Sequence, residues 1–143
     1  MKDKKKLIAA VLVVLAAAAA YKFVLAAPSD ADARIHGQVY VLPKEFLINL
    51  ADGRFAKLTV ALVLPSDEKV EPEKGTTPPE GFGPLPQEGA VRAVVTDVMT
   101  NSSADDLVDK AGRARLRKQL LRSVRRQTDV KAKKVLFTDV AVQ

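Results

Sequence analysis

Apolar and polar residues alternate over two neighbouring stretches near the middle of the chain. Phe46, Ile48 and Leu50 alternate with Leu47 and Asn49, and beyond Asp52-Gly53 the residues Leu58, Val60, Leu62 and Leu64 alternate with Lys57, Thr59, Ala61 and Val63. A period of two puts successive side chains on opposite faces and predicts strands. Gln38–Leu50 reads as extended and interrupted at Pro43, and Arg54–Leu64 as one long strand. Asp52-Gly53 between them predicts a hairpin with a type I′ turn, whose two central residues both take positive φ. The same period returns over Lys131–Gln143, with Leu136, Thr138, Val140 and Val142 expected on one face and Val135, Phe137, Asp139 and Ala141 on the other. This last strand is expected to close the sheet.

Between the strands the period changes. Val91, Val94, Val95, Val98 and Met99 recur at helical spacing from about Gly89, and predict a helix with one apolar stripe. Valine is a weak helix former, so that helix depends on packing. Asn101-Ser102-Ser103 ends it, and Ser103 with Asp106 resembles a capping box for a second helix. That helix runs to about Gln127 with Leu116, Leu120, Leu121 and Val124 on its apolar arc, and Gly112 marks an expected break. Pro65–Glu88 holds Pro65, Pro72, Pro78, Pro79, Pro84 and Pro86 with Gly75, Gly81 and Gly83. Such a run sustains neither ladder nor helix, and reads as a flexible insertion whose only aromatic residue is Phe82. The order of elements gives an α/β (α+β) domain over residues 38–143.

Ahead of it lies a different pattern. Lys2, Lys4, Lys5 and Lys6 precede the apolar run Leu7–Ala27, whose 21 positions span about 31 Å as a helix. A bilayer core is about 30 Å thick, so this run is the length of one transmembrane helix. Lys22 lies one turn from its outer end, where a long stem lets the ammonium reach the headgroups, and Tyr21 and Phe23 sit at the same depth. The lysines keep residues 1–6 cytoplasmic and direct the C-terminus outward. A cleaved signal peptide is the competing reading, with small-residue sites at Ala18-Ala19-Ala20 and Val24-Leu25-Ala26. Both readings export the rest. Pro28–Gly37 then reads as a juxtamembrane linker.

Charge narrows the partners. The chain of 143 residues carries a net charge of +6, from 23 basic and 17 acidic residues. Setting aside the five lysines and Asp3 of residues 1–27 leaves 18 basic against 16 acidic, a net of +2 outside the membrane. That balance gives no case for nucleic acid. Cysteine is absent, which excludes disulfides, thiol nucleophiles and thiolate metal sites. His36 is the single histidine and sits in the linker without clustered partners. Asp105, Asp106 and Asp109 fit a first helical turn, where acidic groups complement the helix dipole. Ser102 and Ser103 have no histidine base, and neither a Gly-x-Ser-x-Gly elbow nor a phosphate-binding glycine loop is present. No catalytic set, cofactor or small-molecule substrate is expected, so the chain reads as a non-enzyme. One constellation stands out. Arg115, Lys118, Arg122, Arg125 and Arg126 project over one arc of the second helix, with Arg113 and Arg117 nearby. The arc is a solvated face, a contact with a neighbouring subunit or partner, or an attraction for anionic headgroups or wall polymers.

Four blocks in this order resemble the flagellar basal body-associated FliL family. They are the lysine-rich tail with one N-terminal membrane helix; Tyr40–Leu50 followed by Arg54–Leu62, where the family has an Asn-Leu pair (here Asn49-Leu50) before a strand; Ser102-Ser103 through Asp106-Leu107, Gly112, Leu116 and Leu120; and Val135–Gln143, similar to a Phe-Thr-Asp ending. Pro65–Glu88 departs from the pattern, being longer and richer in proline. The resemblance implies a single-pass inner-membrane protein that retains its anchor, with an extracytoplasmic domain similar to the stomatin/prohibitin type. It further implies a homo-oligomeric ring around the ion-driven stator proteins of the flagellar motor, supporting torque and swimming or swarming without catalysis. An envelope-binding module acting through Arg115–Arg126, or a generic stomatin-like scaffold without a motor role, would also fit these residues.

Overall fold

The long strand predicted after Gly53 is the one on which the sheet is built. In the computed structural model, which describes residues 34–72, 75 and 77–143, it is β3 (Phe55–Leu64), at the centre of a four-stranded antiparallel sheet. His36–Gln143 forms one compact unit, distinct from Met1–Ile35. β1 (Gln38–Val41) and β2 (Phe46–Asn49) both lie along one side of β3, with Tyr40 opposite Leu62, Phe46 opposite Leu58 and Ile48 opposite Ala56. They are one strand broken at Pro43, which has no N–H for the ladder. Across the break, residues 42–45 face only Thr59 and Val60. The excess is even, so the alternation survives: Tyr40, Leu42, Phe46 and Ile48 are all buried.

β4 (Lys134–Val142) pairs with the other side of β3. Here the expected faces are corrected. Val60 is opposite Phe137 but Thr59 is opposite Asp139, so Thr138 is an extra residue in a bulge. One extra residue reverses the alternation. Val135 and Phe137 before it therefore share the core face with Val140 and Val142 after it.

The turn between β2 and β3 is also not the two-residue type I′ turn. Gly53 has φ +82° while Asp52 does not enter the positive-φ region. The Leu50 N–H donates to the Arg54 carbonyl at 2.8 Å and the Gly53 N–H to the Leu50 carbonyl at 3.0 Å. These bonds define a three-residue loop with glycine in the left-handed position.

Three helices cover the inner face of the sheet. α1 (Glu88–Thr100) buries Val91, Val94, Val95 and Met99. α2 (Ala104–Val108) begins with the predicted capping box, Ser103 Oγ accepting from the Asp106 N–H while the Asp106 carboxylate accepts from the Ser103 N–H. α3 (Lys110–Gln127) buries Leu116, Leu120 and Val124. The break between α2 and α3 falls at Asp109 rather than at Gly112, because the Asp109 carboxylate caps the new helix by accepting from the Gly112 N–H at 2.7 Å. Gly112 instead allows close packing: a Cβ there would collide with the Asp106 carbonyl.

The described residues between β3 and α1 form neither strand nor helix. The end of this segment nevertheless belongs to the core, which corrects the expected boundary of the insertion at Glu88. Leu85 and Glu88 are buried, and Glu88 opens α1. Val70, nearer β3, also packs partly against the core. No described helix is long and apolar enough to cross a membrane, and the span expected at residues 7–27 lies outside the described residues.

Candidate interaction face

α3 carries eight basic residues and no acidic one along its 18 positions. Its buried residues Gly112, Leu116, Leu120, Ser123 and Val124 fix which side meets the core. The helical period then turns Arg115, Lys118, Arg122, Arg125 and Arg126 outward, and all five are exposed. The predicted arc is therefore one continuous face.

The structure separates these cations by what each already does. Arg115 Nη2 lies 3.1 Å from Asp106 Oδ1. Arg125 Nε donates to the Ala132 carbonyl at 2.7 Å and ties the end of α3 to the turn before β4. Arg113, which the sequence placed near the arc, donates to the Leu107 and Val108 carbonyls at 2.8 and 2.7 Å. It satisfies carbonyls at the end of α2 that have no helical partner. Lys118, Arg122 and Arg126 have no hydrogen bond or ion pair with any described residue.

Arg115, Lys118 and Arg122 share a groove of about 340 Å³ where α3 passes the end of α1. Val98 and Leu116 give it an apolar part, and Asn101, Ser102, Asp106 and Gln119 complete its wall. Arg125 lines a different depression, with Pro65 and the turn residues Thr128–Lys133. Arg126 lies in neither. The Ser102 hydroxyl is spent on the Met99 carbonyl at 2.6 Å, and the Ser103 hydroxyl on the Asp106 carboxylate at 2.8 Å.

The acidic side of the face is structural. Asp106 is held below the usual carboxylate range by the Ser103 hydroxyl, then by the Ser103 N–H and Arg115. Asp105 receives Arg54 at 2.9 Å, and the same guanidinium reaches Asp52 at 2.9 Å. Asp52 also accepts from the Ala104 N–H at 2.8 Å, the main cause of its lowered pKa. Arg54 and Asp52 thus fasten the hairpin turn to the start of α2, a role that local sequence pattern does not signal. Arg92 was missed in the same way. Its guanidinium stacks 4.3 Å from the Phe46 ring centroid and 5.7 Å from that of Phe82, and donates to the Lys44 carbonyl at 2.9 Å. Its position off the apolar stripe of α1 was the only available signal. Among the described residues, no group of three or more His, Asp and Glu side chains converges as a cation site.

Residues 39–143 match the family model described as flagellar basal body-associated protein FliL. No curated relative matches the chain at a significant level.

Proposed function

The chain belongs to the FliL family of flagellar basal body-associated proteins, and from that premise we propose that it is a non-catalytic, single-pass inner-membrane protein that supports the stator units of the motor. In this reading residues 1–6 are cytoplasmic, residues 7–27 are a retained anchor, and residues 38–143 form a stomatin/prohibitin-like domain outside. The domain assembles into a homo-oligomeric ring around the ion-driven stators and holds their exported segments in the working arrangement, raising torque and swimming or swarming.

The observation that carries this is the extent of the family match. It takes in β2 to β4, the three described helices and all but the first residue of β1. The physical mechanism needs little more. Anchoring confines the domain to a surface, which raises its effective concentration for weak partners. Binding one stator state better than another then shifts the population towards it. The exposed face of α3 supplies long-range attraction for anionic surfaces.

Deleting the gene tests the reading. Filaments should still assemble while torque or motility falls in liquid or viscous medium. Cells without filaments, or cells with normal motility in both media, contradict it. A second reading is favoured by the unpaired Lys118, Arg122 and Arg126: an envelope-binding module for anionic polymers or headgroups. Steeply salt-dependent binding to purified wall polymer, with motility unaffected by deletion, would favour that alternative.

A further inference from the structure

Charge is divided unevenly within the exported part of the chain. α3 has eight basic residues and no acid, whereas residues 66–87 hold five acidic residues against two basic. Asp67, Glu71 and Glu80 are exposed and Glu68 is half-buried. None of these four makes an ion pair with a described residue. Lys118, Arg122 and Arg126 are equally unpaired. Two opposite sets of charge thus stand on one domain, and among the described residues neither neutralises the other.

The geometry keeps them apart. The Glu68 N–H donates to the Pro65 carbonyl at 3.1 Å, turning the chain directly after β3, and Val70 packs partly on the core. The first acids are therefore held close to Pro65. Pro65 shares a depression with Arg125, near the C-terminal end of α3, and Arg125 is already engaged with Ala132. The groove of Arg115, Lys118 and Arg122 lies towards the start of the helix from there, with Arg122 about 5 Å and Lys118 about 10 Å from Arg125 along the axis. A fixed acidic turn and a fixed basic groove at different places on one surface suit a neighbour better than each other.

We propose that the acidic stretch Asp67–Glu71 of one subunit docks on the Lys118–Arg122 groove of the next copy of the chain. The two patches differ, so the contact is head-to-tail; contacts of this kind propagate and close into rings when the rotation permits. The backbone beneath both patches is held, by the Glu68–Pro65 bond and Val70 on one side and by α3 on the other, so the ordering required on docking falls on the charged side chains. Val98 and Leu116 in the groove meet the aliphatic stems of the incoming side chains, while Lys118 and Arg122 meet their carboxylates. The pairing rests on the self-association proposed above and assigns surfaces to it.

The chain has no native cysteine, so engineered ones report without background. Full-length protein in its membrane, carrying both Glu71→Cys and Arg122→Cys, should give a ladder of disulfide-linked species on mild oxidation. Either single variant alone should give none. Lys118→Glu with Arg122→Glu should reduce the oligomers of the otherwise native chain in detergent about tenfold or more. Adding Asp67→Lys and Glu71→Lys should restore them, which a merely misfolded variant would not permit. Oligomers that persist unchanged in the Lys118→Glu, Arg122→Glu chain overturn the docking and leave self-association standing. A native chain that is monomeric in both membrane and detergent overturns both. Loss of binding to phosphatidylglycerol vesicles in that variant, with oligomers intact, assigns the groove to lipid and overturns the docking as well.

Discussion

The Tyr40 hydroxyl donates to the Glu88 carboxylate at 2.6 Å, joining β1 to the first residue of α1 across 48 positions. The same carboxylate oxygen accepts from the Gly83 N–H at 2.9 Å, while its other oxygen is buried with no described partner. This carboxylate fixes where the proline-rich segment ends and the helix begins. Tyr40→Phe removes the shorter of its two bonds. The expected loss is about 1–3 kcal/mol, the cost of leaving a buried acceptor short of a donor. Urea denaturation followed by far-ultraviolet circular dichroism measures it.

The same pair makes stability fall in alkali. Burial, and then the bond to Glu88, raises the Tyr40 phenol well above its ordinary value of about 10. The folded state therefore keeps a proton that the unfolded chain releases. Tyr40's contribution is complete below about pH 10 and declines as pH rises towards the folded value. Denaturation midpoints between about pH 9 and 11.5 should slope downward in the native chain and less so in Tyr40→Phe. Equal slopes would remove Tyr40 as the cause.

On the acid side the sign is opposite. Asp52 and Asp106 are held below the usual carboxylate range, Asp52 chiefly by the Ala104 N–H and Asp106 chiefly by the Ser103 hydroxyl. Their stabilisation is present above about pH 4 and is lost as pH falls through their folded values. Asp52→Asn should lower stability at neutral pH and flatten its decline below about pH 4. A titration of the unfolding midpoint in the two proteins provides the comparison.

Leu120 and the outward cations lie on opposite sides of one helix, and their substitutions should separate accordingly. Leu120→Ala opens a cavity in a fully buried site and should cost about 2–5 kcal/mol. Changing Arg115, Arg122 and Arg126 together to Gln should barely move the unfolding midpoint, because exposed charges contribute little to stability. If that triple variant nonetheless loses oligomers or motility, the face is a contact. Unchanged assembly and swimming would leave it a solvated surface.

The proline-rich segment should behave in two parts. Replacing residues 71–81 by a short Gly/Ser link should alter stability by no more than about 1–2 kcal/mol, since closure entropy grows slowly with loop length. Leu85→Ala should cost about 2–5 kcal/mol, because Leu85 is buried. Equal tolerance of both changes would show that Leu85 contributes no packing.

The strands were legible because alternation is local, and so was the arc of Arg115, Lys118, Arg122, Arg125 and Arg126, because helical period alone sets it. The capping box at Ser103 and Asp106 was equally local. What escaped is set by partners distant in sequence. The bulge at Thr138 exists only against Thr59 and Val60, so alternation read along β4 alone predicts one set of faces throughout and misses the reversal. The turn at Gly53 took an extra residue and turned Asp52 towards Ala104, which lies 52 positions away. The groove beside Lys118 arises where two helices pass, and neither helix announces it alone.

Thr138 has a consequence beyond the assignment of faces. β4 lies at the margin of the sheet, and a nine-residue margin strand offers backbone donors and acceptors to any strand that drifts alongside. Copies brought close together at high concentration would meet such an invitation often. A bulge near the middle of β4 interrupts the spacing of those groups, and Lys134 and Asp139 place charges along the strand. The margin is thereby a poor template for uncontrolled fibre growth, so the domain can be packed densely at its margins without fusing into a continuous sheet.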